Sequence, residues 1–275
     1  MISGSEDVPE EALSDVAFLA RSVNRIRVLG TLSREAYPPR ELTERTETSR
    51  STLRRILSEL EDRGWAKRNS DGDYGATVTG KLVVEELAPF VRTMETIRRL
   101  DDVVTWLPLE EIPLEHFSDA TLIGQSPNNP LAPASFLTER LQGASEFQCL
   151  VRLAPPVAFE IRMRDAVVDG RLTTEHVITR GELDTLRDHP ERLPRWREYI
   201  NAGANVYVYD GDIPCNVFVF DETVVLGKRG HPFVKSEREA VRNWAIEKIE
   251  SYREGADRLH PDTFVANSTV AQEER

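Results

Sequence analysis

The stretch formed by residues 48–65 constrains the fold of this chain more than any other part of its sequence. Its apolar side chains recur at intervals of three and four residues, so in a helix they form one continuous stripe. The stripe consists of Leu53, Ile56, Leu57 and Leu60. Ser49, just ahead of the run, can accept a hydrogen bond from an unpaired backbone N–H and cap the helix. The pattern therefore predicts a short capped helix that buries one face.

The opposite face of this predicted helix carries hydroxyl and guanidinium groups. Its members are Arg50, Ser51, Arg54, Arg55 and Ser58. Such side chains can donate to phosphate oxygens, and arginine can donate to guanine in a major groove that admits a helix. An ordinary surface helix with solvated arginines would show the same pattern, so the neighbouring segments decide between the two interpretations.

The segments upstream predict two further helices. Residues 17–32 read as one helix and residues 40–45 as a shorter one, with Pro39 in its first turn, where no N–H is needed. Only residues 46–49 separate the shorter helix from the Arg-rich helix. This is the connection length of a helix-turn-helix.

The segments downstream predict a hairpin. Residues 65–68 and 74–78 read as short strands on either side of residues 69–73, which are rich in turn formers. Three helices followed by such a wing resemble the winged helix-turn-helix domain of archaeal and bacterial transcriptional regulators. The resemblance covers residues 14–80 and implies that double-stranded DNA is a partner.

The resemblance also assigns roles to individual residues. The recognition helix would be residues 49–63, with its groove-facing side chains near its start. Lys67 and Arg68 would touch phosphates or the minor groove from the wing strand, and Arg40 would meet the backbone. The residues implied to contact DNA are Arg40, Ser49, Arg50, Ser51, Thr52, Arg54, Arg55, Lys67 and Arg68.

The distribution of charge is compatible with DNA binding although the total is not. The chain has 35 basic and 47 acidic residues, a net charge of -12. Residues 14–68 hold 12 basic and 8 acidic residues, a balance of +4, which leaves 23 basic and 39 acidic residues, or -16, elsewhere. Basic charge is therefore concentrated in the region that carries the motif.

The types of charged residue indicate adaptation to salt. Arginine outnumbers lysine 30 to 5, and the acidic residues are spread through every segment. This resembles proteins of salt-accumulating archaea, although a moderately acidic protein of an ordinary cytoplasm would also fit the acidity alone. At molar salt the screening length falls to about 3 Å, so base-edge and shape contacts would carry more of the affinity.

Length and composition restrict the remaining possibilities. A chain of 275 residues with 40% hydrophobic content suits two domains. No stretch approaches the roughly 20 apolar residues of a membrane span, and residues 1–11 lack an apolar signal region, so we expect a cytoplasmic protein without a membrane partner. Two cysteines and no His/Cys cluster predict neither a metal site nor a cofactor.

Residues 81–107 predict a connecting helix that builds a homodimer. Its apolar residues approach the alternating spacing of a coiled-coil seam, which Asp101 interrupts. The predicted dimerisation residues are Val83, Leu87, Phe90, Met94 and Ile97. The alternative is a helix that packs on the winged domain, and Pro89 can make its first turns a separate piece.

Beyond residue 108 strands and helices alternate, which is typical of an α/β layer sandwich. The predicted strands are residues 122–124, 146–153, 176–179, 205–209, 216–220 and 223–226. The predicted helices are residues 134–142, 158–168, 183–202 and 237–258. Asp221 and Glu222 between two strong strands predict a hairpin, so the sheet should be mixed.

The last strands and the last helix extend the resemblance. Residues 202–210, 213–214, 217–221 and 224–227, followed by 240–245, are similar to the C-terminal domain of haloarchaeal regulators related to methanogenesis regulators, over about residues 115–260. That domain is similar to phospholipase D-like sensor domains. The resemblance implies a dimerising or effector-sensing domain whose effector, a small molecule, is unknown.

Catalysis of the phospholipase D type requires a histidine nucleophile two residues ahead of a lysine. None of the five histidines has lysine at that position: His116, His176, His189, His231 and His260. No nucleophile elbow, P-loop or dinucleotide fingerprint occurs either. We therefore expect no enzymatic activity and no catalytic residues.

Some residues of the second domain allow more than one interpretation. Cys149 and Cys215 could form a redox pair, but buried unpaired cysteines commonly act as small hydrophobic residues. Acidic residues near strand ends could meet a polar effector or a cation, and more often they are solvated turn residues: Asp210, Asp212 and Asp221. Four arginines could grip an anion or pair with neighbouring acids: Arg162, Arg164, Arg171 and Arg180.

The sequence as a whole predicts a fold of the α+β or α/β class and a homodimeric regulator. The runner-up is a protein-interaction adaptor that keeps a winged-helix fold without specific DNA binding. The predicted divisions are a flexible N-terminus (1–13), the winged helix-turn-helix domain (14–80), the connecting helix (81–107), an α/β regulatory or sensor domain with a mixed sheet (108–260) and a flexible C-terminus (261–275).

Overall fold

The computed structural model describes residues 9–124, 129, 131–152 and 155–264. The chain divides into two compact units, Met1–Arg92 and Thr93–Arg275. The predicted flexible ends, residues 1–13 and 261–275, lie largely outside the described residues.

The first unit is built from four short helices and a hairpin. Its elements are α1 (Glu10–Ala20), α2 (Val23–Arg34), α3 (Pro39–Thr46), α4 (Arg50–Asp62), β1 (Ala66–Arg68), β2 (Tyr74–Ala76) and the start of α5 (Val78–Leu100). The single helix predicted over 17–32 is wrong, because the chain breaks between α1 and α2. Ser22 takes an extended backbone there, with φ -152° and ψ 112°, and begins α2.

The core of the first unit forms where the stripe of α4 meets α2 and α3. Leu53, Ile56, Leu57 and Leu60 are all buried, as the periodicity predicts. Burying a side chain of this size stabilises the fold by about 1.5–3 kcal/mol. The wing is fixed to this core, because β1 and β2 pair antiparallel and Tyr37 forms a further bridge with Tyr74.

The start of α5 lies close to the residues that directly precede β1. A Cβ added at Gly80 would lie 2.0 Å from the carbonyl oxygen of Trp65, so only glycine fits at this position. Thr77 supports the contact, since its hydroxyl donates to the carbonyl of Gly64 at 2.6 Å and accepts from the N–H of Gly80 at 3.1 Å. The helix then continues through Pro89 without interruption and ends at Leu100.

The residues of the predicted seam divide into two groups along α5. Val83 and Leu87 pack against the core of the first unit. Phe90, Met94 and Ile97 are 56%, 44% and 38% exposed. The helix predicted over 81–107 ends earlier, at Leu100, because Asp101 takes a left-handed backbone with φ 50°. A 3-10 helix, Asp101–Thr105, follows it.

The second unit is an α/β sandwich. Its strands are β3 (Thr121–Ile123), β4 (Glu146–Val151), β5 (Thr173–Thr179), β6 (Asn205–Tyr209), β7 (Asn216–Phe220), β8 (Thr223–Gly227), β9 (Phe233–Ser236) and β10 (Asp257–Arg258). Its helices are α6 (Ala132–Gly143), α7 (Val157–Val168), α8 (Arg180–Arg187), α9 (Leu193–Asn201) and α10 (Glu239–Glu254).

The eight strands form one sheet in the order β10-β6-β5-β4-β7-β8-β9-β3. β5 pairs parallel with β4 and β6, while β4–β7, β7–β8, β8–β9, β9–β3 and β6–β10 pair antiparallel. One face packs on α6 to α9. The other packs on α10 and the segment that follows α5. The predicted fold class, a winged helix-turn-helix followed by an α/β sandwich with a mixed sheet, is therefore confirmed.

The details of the second unit correct some predictions and confirm others. The helix predicted over 183–202 is wrong, because it is two helices, α8 and α9, interrupted around Pro190. The strands β9 and β10 were not predicted. The hairpin at Asp221 is confirmed, since this residue connects β7 and β8 with φ 48°. Its carboxylate accepts hydrogen bonds from the N–H and hydroxyl of Ser145, which makes it a structural residue.

Candidate nucleic-acid interface

The connection between α3 and α4 fixes the start of the candidate recognition helix. Glu47 ends α3 in a left-handed conformation with φ 51°. Arg27 of α2 donates to the carbonyl of Thr46 at 3.1 Å. The hydroxyl of Ser49 then accepts from the N–H of Thr52 at 3.3 Å, as the sequence predicts for a cap. One left-handed residue and two hydrogen bonds therefore set the direction in which α4 leaves the turn.

The structure brings most of the predicted contact residues together on α4. The exposed side chains are Ser49, Arg50, Ser51, Arg54, Arg55 and Ser58. Thr52 is half-buried, and its hydroxyl lies 2.9 Å from that of Ser49, so it completes the cap. The hydroxyl of Thr52 is therefore used within the start of the helix.

The three arginines of α4 differ in how far their charge is compensated. Arg55 lies 3.2 Å from the carboxylate of Glu59. That carboxylate also accepts from Arg25 of α2, at 2.9 Å, so it joins two helices. Within the described residues, Arg50 and Arg54 form no ion pair. Of the three arginines on α4, Arg50 and Arg54 are therefore the two whose charge no described acidic residue compensates.

Charge also changes sign along α4. The arginines occupy its first half, whereas Glu59, Glu61 and Asp62 occupy its second half. The start of a helix already carries a partial positive charge and free N–H groups, which favour anions. A polyanion would therefore approach the first half of α4, which is the part that contacts base edges in helix-turn-helix complexes.

The wing hairpin has a turn that its own side chains organise. The side-chain oxygen of Asn69 accepts from the N–H groups of Asp71 and Asp73, at 3.0 and 2.8 Å. Gly72 has φ 92°, a conformation that suits glycine. Because two aspartates lie at the tip, phosphate contact would come from the strand and not from the turn.

The two basic residues of the wing strand serve different purposes. Neighbouring side chains point to opposite faces of a strand, so Lys67 and Arg68 cannot present their charges together. Arg68 donates to the carbonyl of Gly72 at 2.9 Å and lies over the ring of Tyr74. Lys67 is exposed and forms no ion pair within the described part of the chain.

Arg40 lies apart from α4, in the first turn of α3. Its side chain is 85% exposed and lies 3.7 Å from the carboxylate of Glu44. Such a loose surface pair contributes little to stability, so the guanidinium remains available. The position suits contact with a phosphate rather than with a base edge.

The second unit contains buried ionisable groups that the sequence reasoning missed. The carboxylate of Glu160 is 1% exposed and accepts from Arg192, from Arg195 at 2.8 Å and from the indole N–H of Trp196 at 2.8 Å. Glu182 is 2% exposed. Each occupies a buried position of its helix, next to Phe159 or Leu183. An acidic residue within an apolar stripe was the signal available in the sequence.

The two cysteines are unpaired and buried. Burial raises the pKa of the Cys215 thiol to about 11 and that of the Cys149 thiol well above its ordinary value. A thiol that stays protonated is a poor nucleophile, so a packing role is favoured over a redox role.

Neither metal binding nor membrane spanning finds support in the described residues. Across residues 9–124, 129, 131–152 and 155–264, no three His, Cys, Asp or Glu side chains are grouped as metal ligands would be. No helix in this same part of the chain combines the length and apolarity needed to cross a membrane.

Two family models match the chain. The model of the HVO_A0261 N-terminal domain matches residues 13–99. The model of the middle domain of the methanogenesis regulatory protein FilR1 matches residues 130–255. The resemblance to archaeal winged helix-turn-helix regulators with a methanogenesis-regulator-type second domain is confirmed. The second model describes part of a regulatory protein, in agreement with the expectation of a chain that is not an enzyme.

Several solved structures are distantly similar. TrmBL2, an archaeal chromatin protein, is 16% identical with a TM-score of 0.41, over 89% of this chain and 98% of that chain. Nuc, a phospholipase D family member from Salmonella typhimurium, is 12% identical with a TM-score of 0.39, over 51% of this chain and 97% of that chain. TM-scores this low do not establish a common arrangement, so the interpretation depends on the family models. No curated protein matches the chain.

Proposed function

We propose that this chain, which joins an HVO_A0261-type N-terminal domain to a FilR1-type middle domain, is a transcriptional regulator that reads double-stranded DNA with α4. One observation carries the proposal. Arg50 and Arg54 lie exposed on the first half of α4, and neither forms an ion pair within the described residues. The apolar stripe of the same helix, which includes Leu53 and Leu57, anchors α4 in the core. A rigid helix with free guanidinium groups suits base readout in a major groove.

The proposed complex divides the contacts between reading and positioning. Arg50, Ser51 and Arg54 would reach base edges, and Arg55 would reach a phosphate because Glu59 already binds it. Lys67 on the wing and Arg40 on α3 would bind phosphates at either side of the groove. Phosphate contacts fix the register of the protein, while the base contacts give the sequence preference.

The exposed apolar stripe of α5 supports a homodimer. Phe90, Met94 and Ile97 follow each other at intervals of four and three residues, so they lie on one side of the helix. A surface that packs against a second copy is exposed when one chain is considered alone, and these three side chains are exposed in this way. A dimer would place two recognition helices on a two-fold site about one DNA turn apart.

The division of labour between the proposed domains follows from these roles. Residues 14–80 would bind DNA, residues 81–107 would connect and dimerise, and residues 108–260 would sense a small-molecule effector. An effector could change DNA affinity only by binding one placement of the two recognition helices better than the other. We place this regulator in the cytoplasm of a salt-accumulating archaeon, because acids outnumber bases and lysine is scarce.

The proposal is tested by genome-wide immunoprecipitation of the tagged protein in a high-salt host. The variant Arg54→Glu/Arg55→Glu reverses two charges on α4. A matched control, Arg171→Glu/Arg187→Glu, reverses two exposed charges of the second unit. We expect discrete promoter peaks with a two-fold motif for the wild type and the control, and none for the α4 variant. Absence of enrichment for all three proteins would favour the adaptor.

The dimer is tested separately by sedimentation. Phe90→Glu/Met94→Glu introduces two charges into the apolar stripe and should give monomers. Val78→Glu/Leu82→Glu introduces the same charges at exposed positions on a different side of α5 and should leave the dimer unchanged. A dimer that survives the first change would defeat this part of the proposal without affecting DNA reading.

A further inference from the structure

The second unit has a partly open cavity of about 210 Å³ between its sheet and the helices on one face. Most of its lining is apolar, and much of that is aromatic: Phe147, Phe159, Trp196, Phe218 and Phe233. Besides Trp196, whose indole N–H already donates to Glu160, three side chains with polar atoms line it, namely Cys149, His176 and Glu182. The function proposed above assigns no residue of this cavity.

Two of the three polar side chains already bind each other. The hydroxyl of Tyr199 donates to Thr174 at 2.6 Å, so its oxygen accepts from Nε2 of His176, also at 2.6 Å. Nδ1 of His176 then accepts from the thiol of Cys149 at 3.1 Å. Burial lowers the pKa of His176 to about 3, so the ring is neutral. This chain of hydrogen bonds needs no ligand.

Glu182 is the exception. Its side chain is buried, and among the described residues its Oε1 has no hydrogen-bond partner. A glutamate three residues after a threonine cap ordinarily turns back to the N–H of that threonine. Here the cap of α8 is made by Thr179 alone, which accepts from the N–H of Glu182 at 3.4 Å. Glu182 is one of the residues that line the cavity.

The neighbouring acid shows that burial alone does not explain this arrangement. Glu160 is equally buried, yet Arg192, Arg195 and Trp196 all donate to it. A buried polar atom without a partner costs about 1–3 kcal/mol. The fold therefore pairs the carboxylate of Glu160 fully, whereas it leaves one oxygen of Glu182 without a partner among the described residues. That oxygen is a free hydrogen-bond acceptor next to an apolar cavity.

We propose that the cavity binds an uncharged ring compound that carries one hydrogen-bond donor, which Oε1 of Glu182 accepts. The proposed effector-sensing role of the second unit would then reside here. That role rests on the proposed function, whereas ligand binding by the cavity does not.

Size and charge define the ligand class. An apolar cavity of about 150 Å³ binds benzene, so this cavity suits one or two rings. Burial raises the pKa of Glu182 to about 8, so the carboxyl is neutral at pH 7 and does not compensate a cation. Among the described residues that line the cavity none is a lysine or an arginine, and the nearby Arg192 is already paired with Glu160, so an anion would not be compensated. Aromatic walls favour a flat ring.

The test measures binding of indole to the full-length protein by calorimetry and thermal shift, without DNA. Indole has one N–H donor, and 1-methylindole has the same rings without it. We expect indole to bind about 10- to 100-fold more tightly, as for a hydrogen bond to a buried acceptor. Benzoate and benzylamine, as charged probes, should bind more weakly than indole.

Three variants locate the site. Glu182→Met removes the acceptor and should abolish the preference for indole over 1-methylindole. Glu182→Gln keeps an acceptor oxygen and should retain it. Ala134→Phe adds a ring to the cavity lining and should prevent binding of both probes. Melting curves without ligand confirm that each variant folds.

The outcomes separate this inference from the proposed function. Failure of both indoles to bind, a preference unchanged in Glu182→Met, or tighter binding of benzylamine would overturn the cavity assignment, even if DNA binding is intact. Repeating the DNA titration with saturating indole tests the effector role. The expected result is a change in DNA affinity in the wild type that Glu182→Met does not show.

Discussion

The first half of α4 and the cavity of the second unit treat ionisable groups in opposite ways. On α4, Arg50 and Arg54 are exposed and charged, and they form no ion pair within the described residues. In the cavity, Glu182 is buried and its pKa is raised to about 8, so at neutral pH it carries no charge. The first arrangement suits a highly charged polymer that arrives from water. The second suits a small molecule that transfers from water into an apolar cavity.

The difference also extends to the structural support. α4 is held by an apolar stripe and a cap, so its outer face can change with little effect on the fold. The cavity is held by a network of buried hydrogen bonds around Glu160 and His176, so changes there affect stability and binding together. Substitutions in the two regions should therefore separate into effects on DNA and effects on folding.

The largest effect is expected from Glu160→Ala. Removal of this carboxylate leaves Arg192 buried and unpaired, which costs about 3–5 kcal/mol. Urea denaturation followed by circular dichroism measures the free energy of unfolding. Glu198→Ala is the control, because it removes an exposed partner of Arg164 and should cost less than about 1 kcal/mol. Equal losses for both would show that the buried network does not support the second unit.

The next effect is a dependence of stability on pH that Glu182 imposes. Burial raises its pKa from the ordinary 4.5 to about 8, an effect that Arg192 opposes and Glu160 reinforces. Between these pH values the unfolded chain has lost the proton and the folded chain keeps it, so stability falls as pH rises. Each pH unit costs up to about 1.4 kcal/mol.

Glu182→Gln removes this titration, so its stability relative to the wild type should increase steadily from pH 5 to pH 8. Comparison of the two proteins at each pH cancels the contribution of His176, whose lowered pKa of about 3 acts below pH 6.5. Urea denaturation at several pH values measures the difference. A difference that does not change with pH would mean that Glu182 is ionised in the folded protein.

The contrast between the two regions also explains what the sequence could predict. The helix α4, its cap and its arginine face are local features, because a period of 3.6 residues is visible in one segment. The division of α8 from α9 was missed although Pro190 lay in the predicted helix. The break between α1 and α2 was also missed, although Ser22, which precedes the first residue of α2, is of a type that favours helix starts.

The cavity could not be predicted, because its lining comes from segments far apart in the chain. Phe147, Glu182 and Phe233 meet only after β4, α8 and β9 take their places around one sheet. Glu160 and Glu182 gave a partial signal as acids in apolar stripes. That signal predicts burial, and it does not distinguish a carboxylate with three partners from one with a free oxygen.

A smaller effect is expected on DNA affinity from single arginines of the first unit. Arg54→Ala should weaken specific binding by about 1–3 kcal/mol and relax the preference at one base pair, because a bidentate base contact is lost. Arg40→Ala should weaken binding to all sequences alike. Fluorescence anisotropy measures the affinity of each variant for the DNA site found by immunoprecipitation and for single-base variants of that site. If Arg54→Ala weakened binding to all DNA sequences equally, Arg54 would contact a phosphate and not a base.

The smallest effect concerns the wing and its response to salt. Lys67 is exposed and forms no ion pair within the described residues, whereas Arg68 is bound to Gly72. A lysine that neutralises one phosphate releases about one counterion, so Lys67→Ala should reduce the slope of log affinity against log salt by about 1. The slope is measured from titrations at several salt concentrations.

Arg68→Ala makes the wing prediction more specific. Loss of its hydrogen bond to the carbonyl of Gly72 at 2.9 Å should loosen the turn, so melting temperature and affinity should both fall slightly. Lys67→Ala should leave the melting temperature unchanged, since no contact within the described residues depends on its ammonium. The contrary result would be an equal change of salt slope in both variants with unchanged melting temperatures. In that case the packing of Arg68 over Tyr74 would not restrict its charge, and both faces of the hairpin would be available to phosphates.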